Sequence, residues 1–293
     1  MKPAPFDHVR AMSLDHAIDT LVAGDGDAKV LAGGQSLIPL LAMRLAQPTV
    51  LVDLGSLPEL AYIRADGEIV EIGAMTRTRD VETSSAIRST VPLLPAALRY
   101  SGHVTIRNRG TLGGSAAHSD PAAETPAVLR ALDADLVVVG PNGRRTIPAA
   151  DFFRSFLVSA LEPDEILTAI RIPKQPAGTV VAVEEFARRH GDFAVVAVMG
   201  SARVDESGAV ADVRISLAGA GPTPVRADAA EGLLRDQTPS TDLVLAAAAA
   251  AAGAIDPVSD IHGPADYRRT LTEVLTRRCL QRLLTSTEQR RAA

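Results

Sequence analysis

The sequence predicts a mixed α and β protein of two or three domains, and three observations support this prediction. The chain has 293 residues, which is more than one small hydrophobic core accommodates. Near its start, a strand, a glycine-rich loop, a helix and a second strand follow one another. After Pro176, three apolar strand candidates joined by short turns predict an antiparallel meander, and three helical segments follow it.

The first predicted elements surround a glycine-rich loop. Ser13 is a candidate N-cap for a helix at residues 13–21. A strand, a helix and a second strand are then predicted at residues 29–32, 38–45 and 49–54. This order is similar to a dinucleotide-binding unit, but the Gly-x-Gly-x-x-Gly spacing is absent, which argues against a Rossmann fold.

Hairpins and helices alternate through the middle of the chain. Strands are predicted within residues 62–73, 135–139, 145–148 and 162–172, helices at residues 78–84, 92–100 and 123–132, and an extended segment at residues 104–110. The C-terminal meander strands are predicted at residues 180–188, 194–204 and 210–218, and the helices at residues 226–234, 241–254 and 265–284. A polar, frayed tail is expected after residue 284.

Composition limits the classes of function. Apolar residues make up 46% and charged residues 22% of the chain, which is typical of a globular protein. A formal net charge of −5 argues against a general nucleic-acid or membrane-surface binder. Residues 1–10 lack the apolar core of a signal peptide, and the longest weakly polar run, residues 243–255, is too short to span a bilayer. We therefore expect a cytoplasmic protein.

The single cysteine, Cys279, also limits the chemistry. It lies in an apolar helical pattern and is expected to be packed in the interior. One thiol forms no disulfide within the chain and cannot hold an iron–sulfur cluster. The histidines lack partners at the spacing of a metal site, and the serines lack a nucleophile-elbow pattern, so we predict neither a metal site nor a hydrolase.

Two glycine-rich stretches carry the strongest chemical signal: Ala32-Gly33-Gly34-Gln35-Ser36 and Thr111-Leu112-Gly113-Gly114-Ser115. Paired glycines let main-chain N–H groups approach a ligand, and consecutive N–H groups in turns form concave anion sites. A side chain at Gly33 or Gly114 is expected to fill such a cradle. Each stretch could also be an ordinary tight turn. Two of them together favour a cradle for a pyrophosphate that carries a large cofactor.

The residues around these loops resemble a known family. Residues 32–40 and 106–115 are similar to the two flavin loops of the FAD-binding medium subunits of molybdenum hydroxylases, the xanthine dehydrogenase and carbon monoxide dehydrogenase family. Residues 120–124 continue the second loop, and residues 161–167, 186–194, 267–269 and 277–278 resemble later segments of the family. The resemblance runs in the expected order from residue 6 to about residue 284.

This resemblance implies an α+β fold. An N-terminal α+β subdomain (residues 1–56) and a middle α+β subdomain (residues 57–176) would form a two-part, PCMH-type FAD-binding domain that clasps FAD. Residues 177–293 would form a domain of the CO dehydrogenase flavoprotein C-terminal type. That domain would consist of a three-stranded antiparallel sheet and a helical bundle, and it would close over the cofactor.

The resemblance also implies roles for individual residues. The FAD pyrophosphate would be wrapped by main-chain N–H groups of Ala32, Gly33, Gly34, Gln35 and Ser36, with Leu31 and Leu37 packed beside it. The phosphate and ribityl contacts would be completed by Thr111, Gly113, Gly114 and Ser115. Glu124 matches an acidic position near the adenosine, Leu167 would line an apolar wall, and Tyr100 or Ser101 would lie near the flavin. No catalytic and no metal-binding side chain is implied.

One departure from the family concerns charge near the flavin. Many relatives carry a basic residue where this chain has Glu184 or Glu185. A basic group near a flavin stabilises its anionic reduced form, and Arg188 or Arg189 could supply that charge instead.

The function implied is that of an electron-transfer subunit of an oxidoreductase. In the family, a large subunit hydroxylates the substrate at a molybdopterin centre, and a small subunit carries two [2Fe–2S] clusters. The medium subunit passes electrons from these clusters through FAD to an external acceptor. The implied partners are these two subunits, as a dimer of heterotrimers, without nucleic acid or a membrane span. A stand-alone FAD-dependent oxidase or reductase, and a non-catalytic assembly subunit with empty loops, are the alternatives.

Overall fold

Three parallel strands form an N-terminal sheet in the order β1-β3-β2. Its elements are β1 (Asp7–Arg10), α1 (Leu14–Ala23), β2 (Ala28–Leu31), α2 (Leu37–Ala42) and β3 (Val50–Asp53). The computed structural model describes residues 2–292, with side chains to residue 287, so that Met1 and Ala293, the outer ends of the predicted domains, lie outside it. Ser13 caps α1 as predicted, since its hydroxyl accepts the His16 N–H at 3.1 Å.

A five-stranded antiparallel sheet, in the order β4-β5-β10-β6-β7, forms the middle of the molecule. Its strands are β4 (Ile63–Arg64), β5 (Ile69–Gly73), β6 (Asp135–Gly140), β7 (Gly143–Pro148) and β10 (Ile166–Pro173), with a separate hairpin of β8 (Phe153–Ser155) and β9 (Val158–Ser159). The helices are α3 (Thr78–Thr83), α4 (Ser85–Thr90), α5 (Leu93–Leu98), α6 (Val104–Arg107), α7 (Leu112–His118), α8 (Glu124–Ala131) and α9 (Ala149–Phe152), with a 3-10 turn at Pro58–Leu60.

The extended segment predicted at residues 104–110 is wrong, because this stretch begins with the helical turn α6. The side chain of Arg107 in this polar segment is buried. The Arg107 guanidinium donates to Glu82 at 2.9 Å and to the carbonyls of Ser101 and Gly102 at 3.2 and 2.7 Å. These bonds satisfy a charge that would otherwise be expensive to bury, and they hold the turn in place.

A C-terminal sheet and three helices complete the fold. The sheet contains β11 (Val180–Phe186), β12 (Val196–Val204), β13 (Val210–Ala218) and the two-residue edge strand β14 (Val225–Arg226), and the helices are α10 (Asp228–Leu234), α11 (Thr241–Gly253) and α12 (Ala265–Ala292). The predicted meander of three long strands is confirmed. Helix α12 runs to Ala292, so residues 285–292 continue the helix, and fraying of this end stays a prediction. Among the described helices, none is long and apolar enough to cross a membrane.

Both faces of the C-terminal sheet are buried, which explains the almost continuous apolar run in β12. Val196 and Val198 pack towards the C-terminal helices, whereas Ala197 and Met199 pack into the core of the middle domain. Cys279 of α12 is 1% exposed, which confirms a packed thiol, and burial raises its pKa to about 12. The C-terminal sheet therefore joins the helices behind it to the middle domain in front of it.

A buried arginine holds the C-terminal domain against the end of α8. Arg226 donates to the carbonyls of Arg130 and Ala131 at 3.2 and 3.1 Å and to Asp133 at 3.1 Å, and it forms an ion pair with Glu231. The last carbonyls of a helix have no partner within the helix, and a cation there complements the helix dipole. The C-terminal domain therefore positions α8, the helix that begins at Glu124.

Replacing Arg226 with Met should destabilise the protein strongly. The substitution leaves the Glu231 carboxylate, 3% exposed, buried without its cation, and breaking such a pair costs about 3–5 kcal/mol. Urea unfolding followed by circular dichroism measures the loss. Arg214→Met is the matched control, because Arg214 binds the same Asp133 from a partly exposed position and its loss should cost at most about 1 kcal/mol. Equal losses in the two variants would contradict this account.

Candidate functional site

The first glycine loop follows β2 and presents free main-chain donors. Within the described part of the chain, the N–H groups of residues 33–36 form no hydrogen bond. The carbonyls of Gly34 and Ser36 instead accept from Ile38 and Leu40 at 3.1 and 3.3 Å, which fixes the loop onto α2. Gly34 has a φ of +74°, a conformation that glycine adopts without strain. Four consecutive free donors form the kind of concave surface that binds an anion.

A cleft of about 400 Å³ lies along this loop. It is lined by Leu31, Ala32, Gly33, Gly34, Gln35, Ile38, Pro39, Asp53 and Arg109. Arg109 is the cation of this cleft, and it forms no ion pair among the described residues. Asp53 is engaged elsewhere, since it accepts the Gly55 N–H at 2.8 Å and lies 3.3 Å from His8. The cleft therefore combines neutral main-chain donors with the positive charge of Arg109 and the negative charge of Asp53.

Arg109 is a residue to which the sequence analysis assigned no role. The sequence did contain a pointer to this role, because Arg109 lies two residues before the second glycine loop and so brings a cation to any ligand held between the loops. That Arg109 lines the cleft of the first loop follows only from the contact between the two loops. A second cleft, of about 320 Å³ and lined by residues such as Leu54, Tyr62 and Arg77, contains none of the predicted site residues.

The two glycine loops are packed directly against each other. A Cβ at Gly33 would overlap the Arg109 carbonyl oxygen and lie 2.8 Å from the Gly110 Cα, and a Cβ at Gly114 would lie 3.4 Å from the Ala32 Cβ. The expectation that a side chain at Gly33 would fill an empty cradle is therefore wrong. Gly33 is glycine because the main chains of two subdomains approach each other there.

In the second glycine loop the N–H groups of residues 112–115 are all hydrogen-bonded, which corrects the expectation of free donors there. This loop is the first turn of α7, and Thr111 is its N-cap. The N–H groups of Gly113, Gly114 and Ser115 donate to the Ala74 carbonyl at 2.9 Å, the Thr111 hydroxyl at 3.1 Å and the Thr111 carbonyl at 3.1 Å. The polar group left in this turn is the half-buried Ser115 hydroxyl, which has no partner among the described residues.

The residues predicted near the flavin and the adenosine come together at the end of α5. Ser101 donates its hydroxyl to the carboxyl of Glu124, which is 4% exposed at the first residue of α8. Burial raises the pKa of Glu124 above its usual range. Tyr100 is half-buried beside the middle core. Leu167, 5% exposed on β10, belongs to that core, and Leu37 is half-buried at the start of α2.

Glu185 lies on the C-terminal side of this group. Burial, and then the charge of Glu124, raise its pKa to about 8, and its Oε2 is buried without a hydrogen-bond partner. The neighbouring residue on the strand, Glu184, forms an ion pair with Arg282 of α12 at 2.6 Å. Arg188 and Arg189 are exposed and form no ion pair within the described residues, and a role for either beside the flavin stays a prediction.

Comparison with known proteins identifies a family for this combination of features. Residues 4–175 match the FAD binding domain in molybdopterin dehydrogenase, and residues 181–283 match the CO dehydrogenase flavoprotein C-terminal domain. The chain is 42% identical to the 6-hydroxypseudooxynicotine dehydrogenase complex subunit alpha of Paenarthrobacter nicotinovorans, covering 97% of this chain and 96% of that one. It is 41% identical to the nicotine 6-hydroxylase medium subunit of the same organism, over 96% and 98% of the two chains.

A solved structure shows the same fold. Carbon monoxide dehydrogenase from Hydrogenophaga pseudoflava, in a form that lacks the Mo-pyranopterin moiety, matches with a TM-score of 0.93 and 39% identity, over 96% of this chain and 98% of that one. The chain belongs to the family of FAD-binding medium subunits of molybdenum-dependent hydroxylases and dehydrogenases. It is a flavoprotein subunit of an oxidoreductase, FAD is the cofactor of its domain, and the predicted family and α+β fold are confirmed.

The residues of the first loop fit this cofactor. A pyrophosphate needs several converging donors, and residues 33–36 offer four free N–H groups beside the Arg109 cleft. The roles of Leu31, Leu37, Tyr100, Thr111, Ser115, Glu124 and Leu167 towards FAD stay predictions.

Replacing Gly33 with Ala should weaken FAD binding by about fivefold or more. The added methyl group forces the two loops apart, and strain of this kind costs about 1–3 kcal/mol. Titration of the FAD-free chain with FAD, followed by flavin fluorescence, measures the affinity. The matched control is Gly253→Ala in α11, where a Cβ meets no atom within 4 Å and the affinity should not change. Unchanged affinity in the Gly33 variant would show that the loop contact does not shape the site.

Proposed function

We propose that this chain relays electrons within a molybdenum-dependent dehydrogenase. It would accept them from the iron–sulfur clusters of a small subunit and pass them through FAD to an external acceptor. The observation that carries the proposal is the first loop, with four free donors and Arg109 at one cleft, in a chain whose relatives are named as subunits of such complexes. A single buried cysteine cannot hold an iron–sulfur cluster, so the electrons would come from a partner.

The residues of this chain would bind and shield the cofactor. FAD supplies the one- and two-electron chemistry when bound. The N–H groups of residues 33–36 and the Arg109 guanidinium would bind the pyrophosphate, and the Ser115 hydroxyl would add a polar contact. Glu124, held by Ser101, would accept a hydrogen bond from the cofactor, while the C-terminal sheet keeps water from that end of the site.

We place the choice of organic substrate on the large subunit. The relatives share the fold and 39–42% identity with this chain, yet their names give different substrates: 6-hydroxypseudooxynicotine, nicotine and carbon monoxide. A medium subunit that only relays electrons is compatible with all three. The assembly as a dimer of heterotrimers and the cytoplasmic location stay predictions.

Two alternatives make different demands on the chain. A stand-alone oxidase needs an acid–base group in position to activate an organic substrate. In the first-loop cleft the one carboxylate, Asp53, is bound to Gly55 and His8. An assembly subunit with empty loops would bind no FAD.

Removing FAD from the purified assembly tests the relay. The iron–sulfur clusters are reduced with one equivalent of dithionite, and NAD or a soluble quinone is added as acceptor. The FAD-loaded assembly should reduce one of these acceptors, and the FAD-free assembly should lose almost all of that rate and regain it on adding FAD. Reduction that is independent of FAD would overturn the proposal. Oxidation of an organic substrate by the isolated chain would instead favour the stand-alone enzyme.

A further inference from the structure

A buried arginine holds the turn that is predicted to lie near the flavin. Arg107 of α6 is 6% exposed, and its Nη1 donates to the carbonyl oxygens of Ser101 and Gly102 at 3.2 and 2.7 Å. Among the described residues, no other donor binds either carbonyl. The guanidinium therefore satisfies two main-chain acceptors of the turn between α5 and α6, and it fixes the path of the chain there.

The conformation of this turn brings its carbonyls to Arg107. Gly102 has a φ of +56°, and a Cβ at this position would lie 3.1 Å from the nearest side-chain atom of Ile106. The turn therefore folds back closely on α6. Its two carbonyls accept no bond from a helix or a sheet ladder, so Arg107 supplies the contacts that regular secondary structure supplies elsewhere.

The side chain of Ser101 connects the same turn to α8. Its hydroxyl donates to the carboxyl of Glu124, which is 4% exposed and is the first residue of that helix. Because a serine side chain is short, a shift of its main chain moves the hydroxyl with it. The bonds from Arg107 to the carbonyls of Ser101 and Gly102 therefore determine where this hydroxyl meets Glu124.

Glu82 of α3 holds Arg107 from the other side. The Oε2 of Glu82 accepts from the Arg107 Nε at 2.9 Å and from the partly exposed Arg79 at 2.9 Å. The position of Arg107 is thus fixed by a charged hydrogen bond. Removal of Arg107 still leaves Glu82 with Arg79, so a substitution there does not strand an unpaired carboxylate, and its effect on the turn can be measured.

We propose that Arg107 is a positioning residue of the FAD site. By binding the carbonyls of Ser101 and Gly102, it orients the Ser101 hydroxyl towards Glu124, and this pair forms part of the wall against which FAD binds. The inference rests on the proposed function, since Ser101 and Glu124 are predicted cofactor residues. The Nε and Nη1 of Arg107 are bound to protein partners, so Arg107 acts on the cofactor through Ser101.

The affinity of the full chain for FAD tests this role. Titration of the FAD-free chain with FAD should give about fivefold weaker binding for Arg107→Met, the value of one misplaced hydrogen bond. The matched control is Arg79→Met, which removes the other cation of Glu82 and leaves the turn unchanged, and it should bind FAD as the unsubstituted chain does. Equal affinities in the two variants would overturn the inference.

Arg107→Lys separates positioning from charge. Lysine keeps a positive charge beside Glu82, but its ammonium group lacks the planar fork that reaches two carbonyls and a carboxylate together. The FAD affinity of Arg107→Lys should therefore also fall by about fivefold. Recovery of the unsubstituted affinity in this variant would show that the charge alone matters, and it would overturn the inference.

A double-mutant cycle shows whether Arg107 acts through Ser101. Ser101→Ala alone should weaken FAD binding by about fivefold. In the Ser101→Ala chain, the further change Arg107→Lys should alter the affinity by less than about twofold, whereas a merely structural role gives independent losses that multiply.

Urea unfolding checks that each variant is folded, and the cycle uses Arg107→Lys because this variant keeps the charge next to Glu82 even where Arg107→Met does not fold. Independent losses in the cycle would overturn the inference and leave the proposed function standing. Failure of the unsubstituted chain to bind FAD would overturn the proposed function, and this inference with it.

Discussion

The contact of Gly33 with the main chain of Arg109 and Gly110 is the constraint on which the site depends. It joins the N-terminal parallel sheet to the middle antiparallel sheet through two loops that have no room for a side chain between them. The same contact places Arg109 in the cleft of the first loop. The N–H groups of residues 112–115 are bound to Thr76, Ala74 and Thr111, so the second loop acts as a rigid support, whereas the first loop keeps its donors for a ligand.

Contacts of the C-terminal domain position α8, the helix that begins at the predicted cofactor residue Glu124. Arg226 holds the C-terminus of α8, and the two-sided burial of β12 presses the sheet onto the middle core. Glu124 lies at the opposite end of α8 from Arg226. The contacts that hold the C-terminal domain in place therefore also fix the position of α8, whose first residue is the predicted cofactor residue Glu124.

Local signals in the sequence predicted much of the fold. The Ser13 cap, the C-terminal meander and the buried Cys279 followed from capping, alternation and apolar periodicity, which depend on neighbours in sequence. Whether the N–H groups of a Gly-Gly pair are free to bind a ligand does not depend on neighbours in sequence alone. The N–H of Gly113 donates to Ala74 and is not free, and the segment predicted as extended at residues 104–110 begins with the helical turn α6, which contains the buried Arg107. The contacts of Arg226 with the end of α8 join residues about 95 positions apart in sequence and could not be predicted locally.

Hydrogen exchange of individual amides, with and without FAD, tests the central claim most directly. The account predicts that the amides of residues 33–36, which have no hydrogen bond in the chain, gain strong protection when FAD binds. The amides of Gly113, Gly114 and Ser115, already bonded to Ala74 and Thr111, should be protected before FAD is added and change little. Protection by FAD confined to the second loop, with unchanged exchange at residues 33–36, would contradict the account.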